Sequence, residues 1–211
     1  MAVEVDPFPA SDFDDWASGY DQSVLDEKRF PFIGYQQALE RVVRLAEAQP
    51  GMRVLDIGTG TANLAAMFAA RGCEVWGIDF SGAMLERARH KLPQAKFLLA
   101  DVRDGWPGGL PPDFERIVSG YTFHHFDLAE KTRILKGLAA HLASQGRLVI
   151  ADIAFRDRAD MDRCRFMVGG DWDDEFYWLA DETIAALEPA GLKTVFTPVS
   201  ICAGIFVMEK P

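Results

Sequence analysis

The sequence predicts an α/β fold: a seven-stranded, mostly parallel sheet with an antiparallel last strand and helices on both faces. Between residues 54 and 152, short apolar runs alternate with segments of helical periodicity, which is typical of strand–helix–strand units. The two final strand-like runs lie too close in sequence to be parallel, because parallel partners need a long crossover. A chain of 211 residues is long enough for one such domain with a full core.

The elements follow in a regular order, which hydrophobic periodicity and turn residues mark along the chain. The predicted strands are 54–57, 75–79, 97–100, 115–119, 147–152, 193–196 and 201–208. The predicted helices around them are 32–49, 61–70, 81–90, 128–142 and 181–189. We expect a loose leader over about residues 1–9, cap helices within residues 1–50, and a single domain over 51–211 with an insertion at about 153–179.

Composition excludes two classes of partner. A formal net charge of −10 without a basic stripe argues against nucleic acid, because binding it requires Lys and Arg to neutralise phosphates. No stretch reaches membrane-spanning length, so no membrane partner is expected. The three cysteines form no C-x-x-C pair and no signal segment precedes them, so a reducing cytoplasm is the expected compartment. The oligomeric state is left open.

The turn after the first predicted strand is the most informative segment. Gly58 and Gly60, with Thr59 between them, form a bend with little side chain between strand and helix. Such a bend lets a nucleotide-like ligand approach the backbone, with the helix N-terminus aimed at it. Asp79 ends the second predicted strand, where a carboxylate can accept hydrogen bonds from a ribose diol. The pattern predicts an adenosine cofactor.

Asp56 indicates which cofactor. A carboxylate two residues before Gly58 would repel the pyrophosphate of a dinucleotide, whereas it attracts the ammonium and sulfonium of S-adenosylmethionine. Asn63 also occupies the third glycine position of G-x-G-x-x-G. The residues therefore favour S-adenosylmethionine over NAD.

Further cofactor contacts are predicted from the ends of the next strands. Asp101 follows the third strand, where its carboxylate would accept from the adenine amino group and the Val102 backbone would contribute another hydrogen bond; the alternative is a helix N-cap or turn former. Phe80 and Met84 would flank the adenine, or belong to the core.

Aromatic and histidine side chains are predicted at the methyl-transfer end. Trp16 and Tyr20 would form a lid whose rings stabilise the sulfonium, or would simply pack an amphipathic helix. After the fourth strand, His124 or His125 is a candidate for taking a proton from the acceptor, although the pair also suits a structural role. Tyr121 is a comparable candidate for positioning the acceptor.

The insertion after the fifth strand combines acids with aromatic residues. The acids Asp171, Asp173, Asp174 and Glu175 would bind an ammonium group, but a solvated helix N-terminus is the favoured alternative. No His, Asp or Glu residues show metal-ligand spacing, so no metal-assisted transfer is expected.

With these residues in place, the chain resembles the class I S-adenosylmethionine-dependent methyltransferases, particularly small bacterial methyltransferases of the YrrT type. The resemblance runs from about residue 16 to the C-terminus through WASGYDQSV, VLDIGTGTANL, YTFHHF, VIADIAFRD and FVMEK. It implies a Rossmann-like fold, a cofactor turn at Asp56, Gly58 and Gly60, a ribose acid at Asp79 and an adenine-side acid at Asp101. Ala62 departs from the pattern, since many members have glycine there.

The predicted function is therefore methyl transfer from S-adenosylmethionine to a small-molecule acceptor. Two alternatives stay open: a catalytically silent protein that binds the same cofactor, and an NAD-dependent oxidoreductase. Asp56, Asn63 and the C-terminal hairpin disfavour the oxidoreductase.

Overall fold

The structure, a computed structural model, describes residues 8–210, so most of the predicted leader lies outside the described residues. Its strands are β1 (Arg53–Ile57), β2 (Glu74–Asp79), β3 (Lys96–Leu99), β4 (Phe114–Gly120), β5 (Leu142–Phe155), β6 (Trp178–Leu179), β7 (Lys193–Pro198) and β8 (Ala203–Glu209). Its α-helices are α1 (Ala10–Trp16), α2 (Tyr20–Ser23), α3 (Tyr35–Ala46), α4 (Asn63–Ala69), α5 (Gly82–Lys91), α6 (Leu128–Ala140), α7 (Arg158–Val168) and α8 (Ala180–Leu187).

The sheet confirms the predicted fold class. Seven strands lie in the order β3-β2-β1-β4-β5-β8-β7, and only β8 runs antiparallel to its neighbours β5 and β7. The two-residue β6, which was not predicted, lies within the insertion and pairs in parallel with the end of β5. It brings the segment before it towards the carboxyl ends of the parallel strands.

Most strand boundaries agree with the predicted ones, but two elements differ for backbone reasons. Strand β5 is much longer than 147–152, since Leu142 already pairs with Phe114 across a bulge, which also ends the preceding helix early. Helix α3 is shorter than 32–49. Gly34 (φ 83°) and Glu47 (φ 49°) flank it in left-handed conformations, which a right-handed helix cannot include.

Helices cover both faces of the sheet, as predicted. Strand residues alternate between two cores: Val54 and Val118 face the side of α3, α4 and α5, whereas Leu55 and Ile117 face the side of α6 and α8. A parallel sheet buried on both faces leaves its strand ends for ligands. Among residues 8–210, no helix combines the length and the apolar character needed to span a bilayer.

Candidate functional site

A cavity of about 330 Å³ lies at the carboxyl ends of the central strands, within the size range of about 300–1,000 Å³ that is usual for small-molecule sites. Most of the predicted site residues line it. They are Trp16, Tyr20, Gly58, Gly60, Asp79, Phe80, Met84, Asp101, Val102, Tyr121, His124 and His125. The cavity therefore joins residues predicted for the cofactor with residues predicted for the acceptor.

Two predicted cofactor residues lie beneath the turn instead. Asp56 and Thr59 line a separate cavity of about 20 Å³, and the Thr59 hydroxyl donates to Asp56 Oδ2 at 2.9 Å. Asp56 Oδ1 is buried without a hydrogen-bond partner among the described residues. Burial raises the pKa of the Asp56 carboxyl to about 7, against the hydrogen bond from Thr59. Asp56 is therefore a buried carboxyl beneath the turn, separated from the main cavity.

The turn itself depends on residues without a large side chain. Gly58 (φ 63°) and Gly60 (φ 53°) adopt left-handed conformations that favour glycine. A Cβ atom on Gly58 would collide with the Thr122 side chain, whereas one on Gly60 would meet nothing within 4 Å. Ala62 is also left-handed, at φ 67°, which gives a physical reason for the glycine found there in many members of the family that the sequence resembles.

Asp79 closes the other side of the turn. Its Oδ2 accepts from the backbone N–H of Gly60 at 2.8 Å, and its Oδ1 accepts from the backbone N–H of Ser81 at 2.9 Å. Burial raises the pKa of the Asp79 carboxyl, while these backbone hydrogen bonds lower it. The carboxylate is thus fixed in orientation at the cavity wall, and each oxygen keeps lone pairs for a ligand hydroxyl.

Asp101 occupies the predicted place but already has partners. Its carboxylate caps the one-turn helix Val102–Asp104 by accepting from Arg103 N at 2.8 Å, and it accepts from Arg103 Nε at 2.8 Å as well. The capping role that the sequence analysis left open is therefore present, and Asp101 also lines the cavity.

The N-terminal segment is attached above the cofactor end. Asp14 accepts from the Ser81 hydroxyl at 2.5 Å and from the backbone N–H of Ala83 at 3.1 Å. The Phe13 ring meets the Phe80 ring edge-on at 4.9 Å. These contacts join α1 to the start of α5 and place aromatic rings over the cavity.

Tyr121 combines three unusual features at the acceptor end. Its backbone is left-handed, at φ 55°, its hydroxyl is buried without a hydrogen-bond partner in the described part of the chain, and its ring lines the cavity. Burial raises the pKa of the phenol well above its ordinary value. Tyr121 therefore carries a neutral phenol with a free hydrogen-bonding capacity beside the cavity.

His124 is held by a buried carboxylate, Asp152 of β5. Asp152 Oδ1 lies 2.5 Å from His124 Nδ1, and Oδ2 accepts from the backbone N–H of His124 at 3.1 Å and from Trp178 Nε1 at 3.0 Å. Burial opposes the charged imidazolium, but the negative charges of Asp152 and Glu175 outweigh it and raise the pKa of His124. This arrangement fixes the ring and leaves His124 Nε2 directed away from Asp152.

His125 and Glu175 complete this end of the cavity. Glu175 Oε2 lies 3.5 Å from His124 Nε2, and Glu175 Oε1 lies 3.9 Å from His125 Nδ1. Burial lowers the pKa of His125 to about 2, so its ring is neutral.

Lys131 joins the segment after the histidines to the insertion. Its Nζ donates to the carbonyl oxygens of Phe126 and Phe176, and burial lowers the pKa of its ammonium to about 8.

The acidic and aromatic residues of the insertion have divided roles. Trp178 is buried in the core and Trp172 stacks on Phe30 at 5.2 Å, whereas Glu175 faces the cavity. Asp171 lines the cavity but pairs with Arg29 at 2.9 Å.

Sequence reasoning missed how these residues come together. The predicted strand 147–152 ends at Asp152, but its histidine partner was not predicted, and Glu175 was placed in an acidic run without its two histidines. Thr122, which packs against Gly58, was not singled out. One signal in the sequence could have indicated these contacts. Asp152 and Lys131 are charged residues within apolar strand and helix patterns, and charged residues are buried only when they have partners.

The residues present fit S-adenosylmethionine. Gly60 leaves open space at the turn, the Asp79 carboxylate is oriented at the cavity wall and suits a ribose diol, and an unpartnered buried carboxylate oxygen of Asp56 suits a nearby cation. None of these features requires a phosphate.

Known proteins agree with this assignment. Residues 54–146 match the family described as "Methyltransferase domain". The chain is 34% identical over 209 residues to an uncharacterized methyltransferase of Geobacillus thermodenitrificans, with 93% of this chain and 94% of that protein covered. It is 32% identical over 199 residues to the uncharacterized methyltransferase YrrT of Bacillus subtilis, with 88% and 90% covered.

A solved structure supports the fold at greater distance. Magnesium protoporphyrin IX methyltransferase of Synechocystis PCC 6803, solved with bound S-adenosylmethionine, superposes with a TM-score of 0.70 at 18% identity, with 100% of each chain covered. The chain shares the methyltransferase fold and the glycine turn, and its sequence identity to the bacterial relatives extends along nearly its whole length. The protein therefore belongs to the class I S-adenosylmethionine-dependent methyltransferases, in the group that includes YrrT.

Proposed function

We propose that this protein transfers a methyl group from S-adenosylmethionine to a nucleophilic atom of a small-molecule acceptor. The observation that carries the proposal is that one cavity of about 330 Å³ is lined both by the glycine turn with Asp79 and by Tyr121 with His124. The cofactor supplies an electrophilic methyl group on a positively charged sulfur. A cavity of this size suits a small acceptor beside it.

The cofactor end would bind by shape and charge. Asp79 would accept from the ribose hydroxyls. Asp101 would accept from the amino group of an adenine held between Phe80 and Met84, and the backbone of Val102 would contribute a further hydrogen bond. Asp56 would attract the ammonium from beneath the turn. It is buried and lacks a partner for Oδ1, so a nearby cation would stabilise its ionised form.

The acceptor end would align the nucleophile and take its proton. In-line displacement requires the nucleophile about 3–3.5 Å from the methyl carbon, which an O–H donor such as Tyr121 can enforce. His124 is the better-placed proton acceptor of the two histidines, because Asp152 orients its ring through Nδ1 and the charges of Asp152 and Glu175 would stabilise the imidazolium that forms. His125 would mainly shape the pocket.

Two segments would cover the site and choose the acceptor. Within the predicted cap, α1 and the aromatic residues up to Phe32 line the cavity, whereas α3 packs against β5 and β8. From the insertion, Glu175 and Tyr177 line the opposite wall. We propose that both segments exclude water during transfer.

The free thiols of the chain agree with a reducing cytoplasm as its compartment.

The test has a binding arm and a turnover arm. Calorimetry with S-adenosylmethionine, S-adenosylhomocysteine and NAD should show binding of the first two only. Release of S-adenosylhomocysteine is then assayed with thiol, amine, carboxylate and phenol acceptors, and we expect turnover with one class. Binding without turnover on any class would favour the silent binding protein, and binding of NAD alone would favour an oxidoreductase.

Histidine variants test the proton acceptor. Replacing His124 with alanine should lower kcat about 100-fold or more on the acceptor found above, whereas His125→Ala, its matched control, should lower it less. A His124→Ala enzyme within a few-fold of the parent would remove His124 from that role.

A further inference from the structure

Three lone-pair groups converge at the acceptor end of the cavity. One ligand atom each from His124, His125 and Glu175 lie within 4.8 Å of one another, and all three residues line the cavity. We propose that these residues bind a divalent transition-metal ion, Zn²⁺ foremost. Two imidazoles and one carboxylate, with open positions beside them, are a donor set that suits such ions.

The distances suit one ion. Zinc bonds of about 2.0–2.2 Å at tetrahedral angles separate neighbouring ligand atoms by about 3.3–3.6 Å. His124 Nε2 lies 3.5 Å from Glu175 Oε2, and His125 Nδ1 lies 3.9 Å from Glu175 Oε1. All three ligand atoms lie within 4.8 Å of one another, so side-chain adjustment would bring them to one ion.

The surroundings of His124 resemble the outer shell of a metal site. Metal-binding histidines commonly donate their other ring N–H to a carboxylate, which fixes the tautomer and orients the lone pair. Asp152 does this at His124 Nδ1, at 2.5 Å, and is itself fixed by the backbone N–H groups of Phe123 and Ile153, each at 2.8 Å. With Nδ1 occupied by Asp152, Nε2 is the nitrogen of His124 that is left for an ion, and it lies 3.5 Å from Glu175 Oε2.

His125 supplies the second, independent observation. Its Nδ1 is buried and has no hydrogen-bond partner among residues 8–210, although it faces Glu175. The ring is fixed by packing, at 4.5 Å from the ring of Phe8 and 5.2 Å from that of Phe13. An unpartnered buried nitrogen costs free energy, which coordination of a cation would recover.

A proton between His124 and Glu175 satisfies less of the cluster than a metal ion does. It would pair those two residues and leave His125 Nδ1 alone. The nearby ammonium of Lys131 cannot serve either, because it is turned to the carbonyl oxygens of Phe126 and Phe176. One ion accounts for all three groups.

The remaining positions of the ion would face the cavity. There it would coordinate the sulfur or oxygen of a thiol or hydroxyl acceptor, in which case His124 would act as a ligand and not as the proton acceptor. This consequence rests on the proposed function, whereas ion binding does not. It also departs from the expected absence of a metal, which rested on sequence spacing and did not bring Glu175 together with the histidine pair.

The experiment measures ion binding on the tag-free full chain. After removal of adventitious metal with a chelator, Zn²⁺ affinity is obtained by competition with a chromophoric indicator, and bound Co²⁺ is followed by its visible absorption. The test variants are Glu175→Gln, His125→Ala and Asp152→Asn. The matched control is Asp173→Asn, a neighbouring acid that lines the same cavity outside the cluster.

We expect one tight equivalent per chain, a loss of more than about tenfold in Glu175→Gln and His125→Ala, and about 10–100-fold in Asp152→Asn. Asp173→Asn should bind as the parent does. Absence of a stoichiometric ion, or equal affinity in parent, Glu175→Gln and His125→Ala, would overturn the site even if methyl transfer is found. Ion binding without methyl transfer on any acceptor would instead uphold the site and contradict the proposed function.

Discussion

The two ends of the cavity are built in different ways. At the cofactor end, the bend between β1 and α4 and the acid ending β2 lie close in sequence, and backbone conformation does most of the work. At the acceptor end, His124, Asp152 and Glu175 come from three distant segments and depend on side-chain contacts. The difference teaches that a cofactor site can be specified locally, whereas an acceptor site requires the tertiary fold.

Removing Asp152 should break the acceptor end alone. We expect Asp152→Ala to lower the free energy of unfolding by about 3–5 kcal/mol, because it leaves buried donors without their carboxylate. Urea denaturation measures the loss, with Asp173→Ala as the control. Affinity for S-adenosylmethionine in the folded variant should stay within about threefold. A parallel loss of cofactor affinity would show that the two ends are not independent.

Filling the glycine bend should disturb the cofactor end first. A side chain at Gly58 collides with Thr122 in a conformation that β-branched residues avoid, so Gly58→Val should weaken cofactor binding about 100-fold or more. Calorimetry measures the affinity. Gly51→Val is the matched control, because Gly51 has φ 84° and open space away from the cavity. Normal binding by a folded Gly58→Val protein would contradict the assigned turn.

This contrast explains what the sequence could predict. Alternating apolar runs predict a mostly parallel sheet, and the close spacing of the last two strands predicts a hairpin; the structure confirms both. The extra strand β6 was missed because two residues carry no periodicity. The long β5 was missed because its first half is polar and bulged.

The same reasoning applies to the site. Gly58, Gly60 and Asp79 were predicted because their roles follow from backbone geometry at strand ends. The contact of Glu175 with His124 and His125 depends on β6 pairing with β5 and on Lys131 holding the carbonyl of Phe176. Nothing in local spacing encodes such a contact.

Removing the carboxylate of Asp79 tests whether the cofactor end also needs charge. Asp79→Ala should cost about 1.5–3 kcal/mol of cofactor binding, the value of a hydrogen bond to a charged group. Titration calorimetry of the variant gives the number, and Asp113→Ala, an acid remote from the cavity, is the control. Unchanged affinity would remove Asp79 from the site.

The pH dependence of cofactor binding should report Asp56. Its carboxyl has a pKa of about 7 in the free protein because of burial, and a cation favours the ionised form. Affinity should therefore rise with pH through about 7, with binding about tenfold weaker at pH 6 than at pH 8. In the free protein, the same raised pKa makes the free energy of unfolding fall as pH rises from about 4 to about 7, because the Asp56 carboxyl loses its proton at lower pH in the unfolded chain than in the folded one. Above that range the loss persists.

The Asp56→Asn variant isolates this effect. The other titratable groups around Asp56 are Asp79, Tyr20 and Tyr35, and all three are retained in the variant. Calorimetry from pH 6 to 8 should show a flatter profile for Asp56→Asn than for the parent. Two equally steep profiles would assign the dependence to Asp79 instead.

The smallest expected effect concerns Ala62, where backbone conformation is separable from any ligand contact. A left-handed alanine costs about 1–2 kcal/mol, and glycine loses about 0.5–1 kcal/mol through its freer unfolded chain. Ala62→Gly should therefore raise stability by up to about 1 kcal/mol, which thermal unfolding would show as a rise of about 2–4 °C at most. Ala66→Gly, inside the right-handed α4, should do the opposite. Equal destabilisation by both would mean that the cofactor end does not carry the backbone strain assigned to its turn.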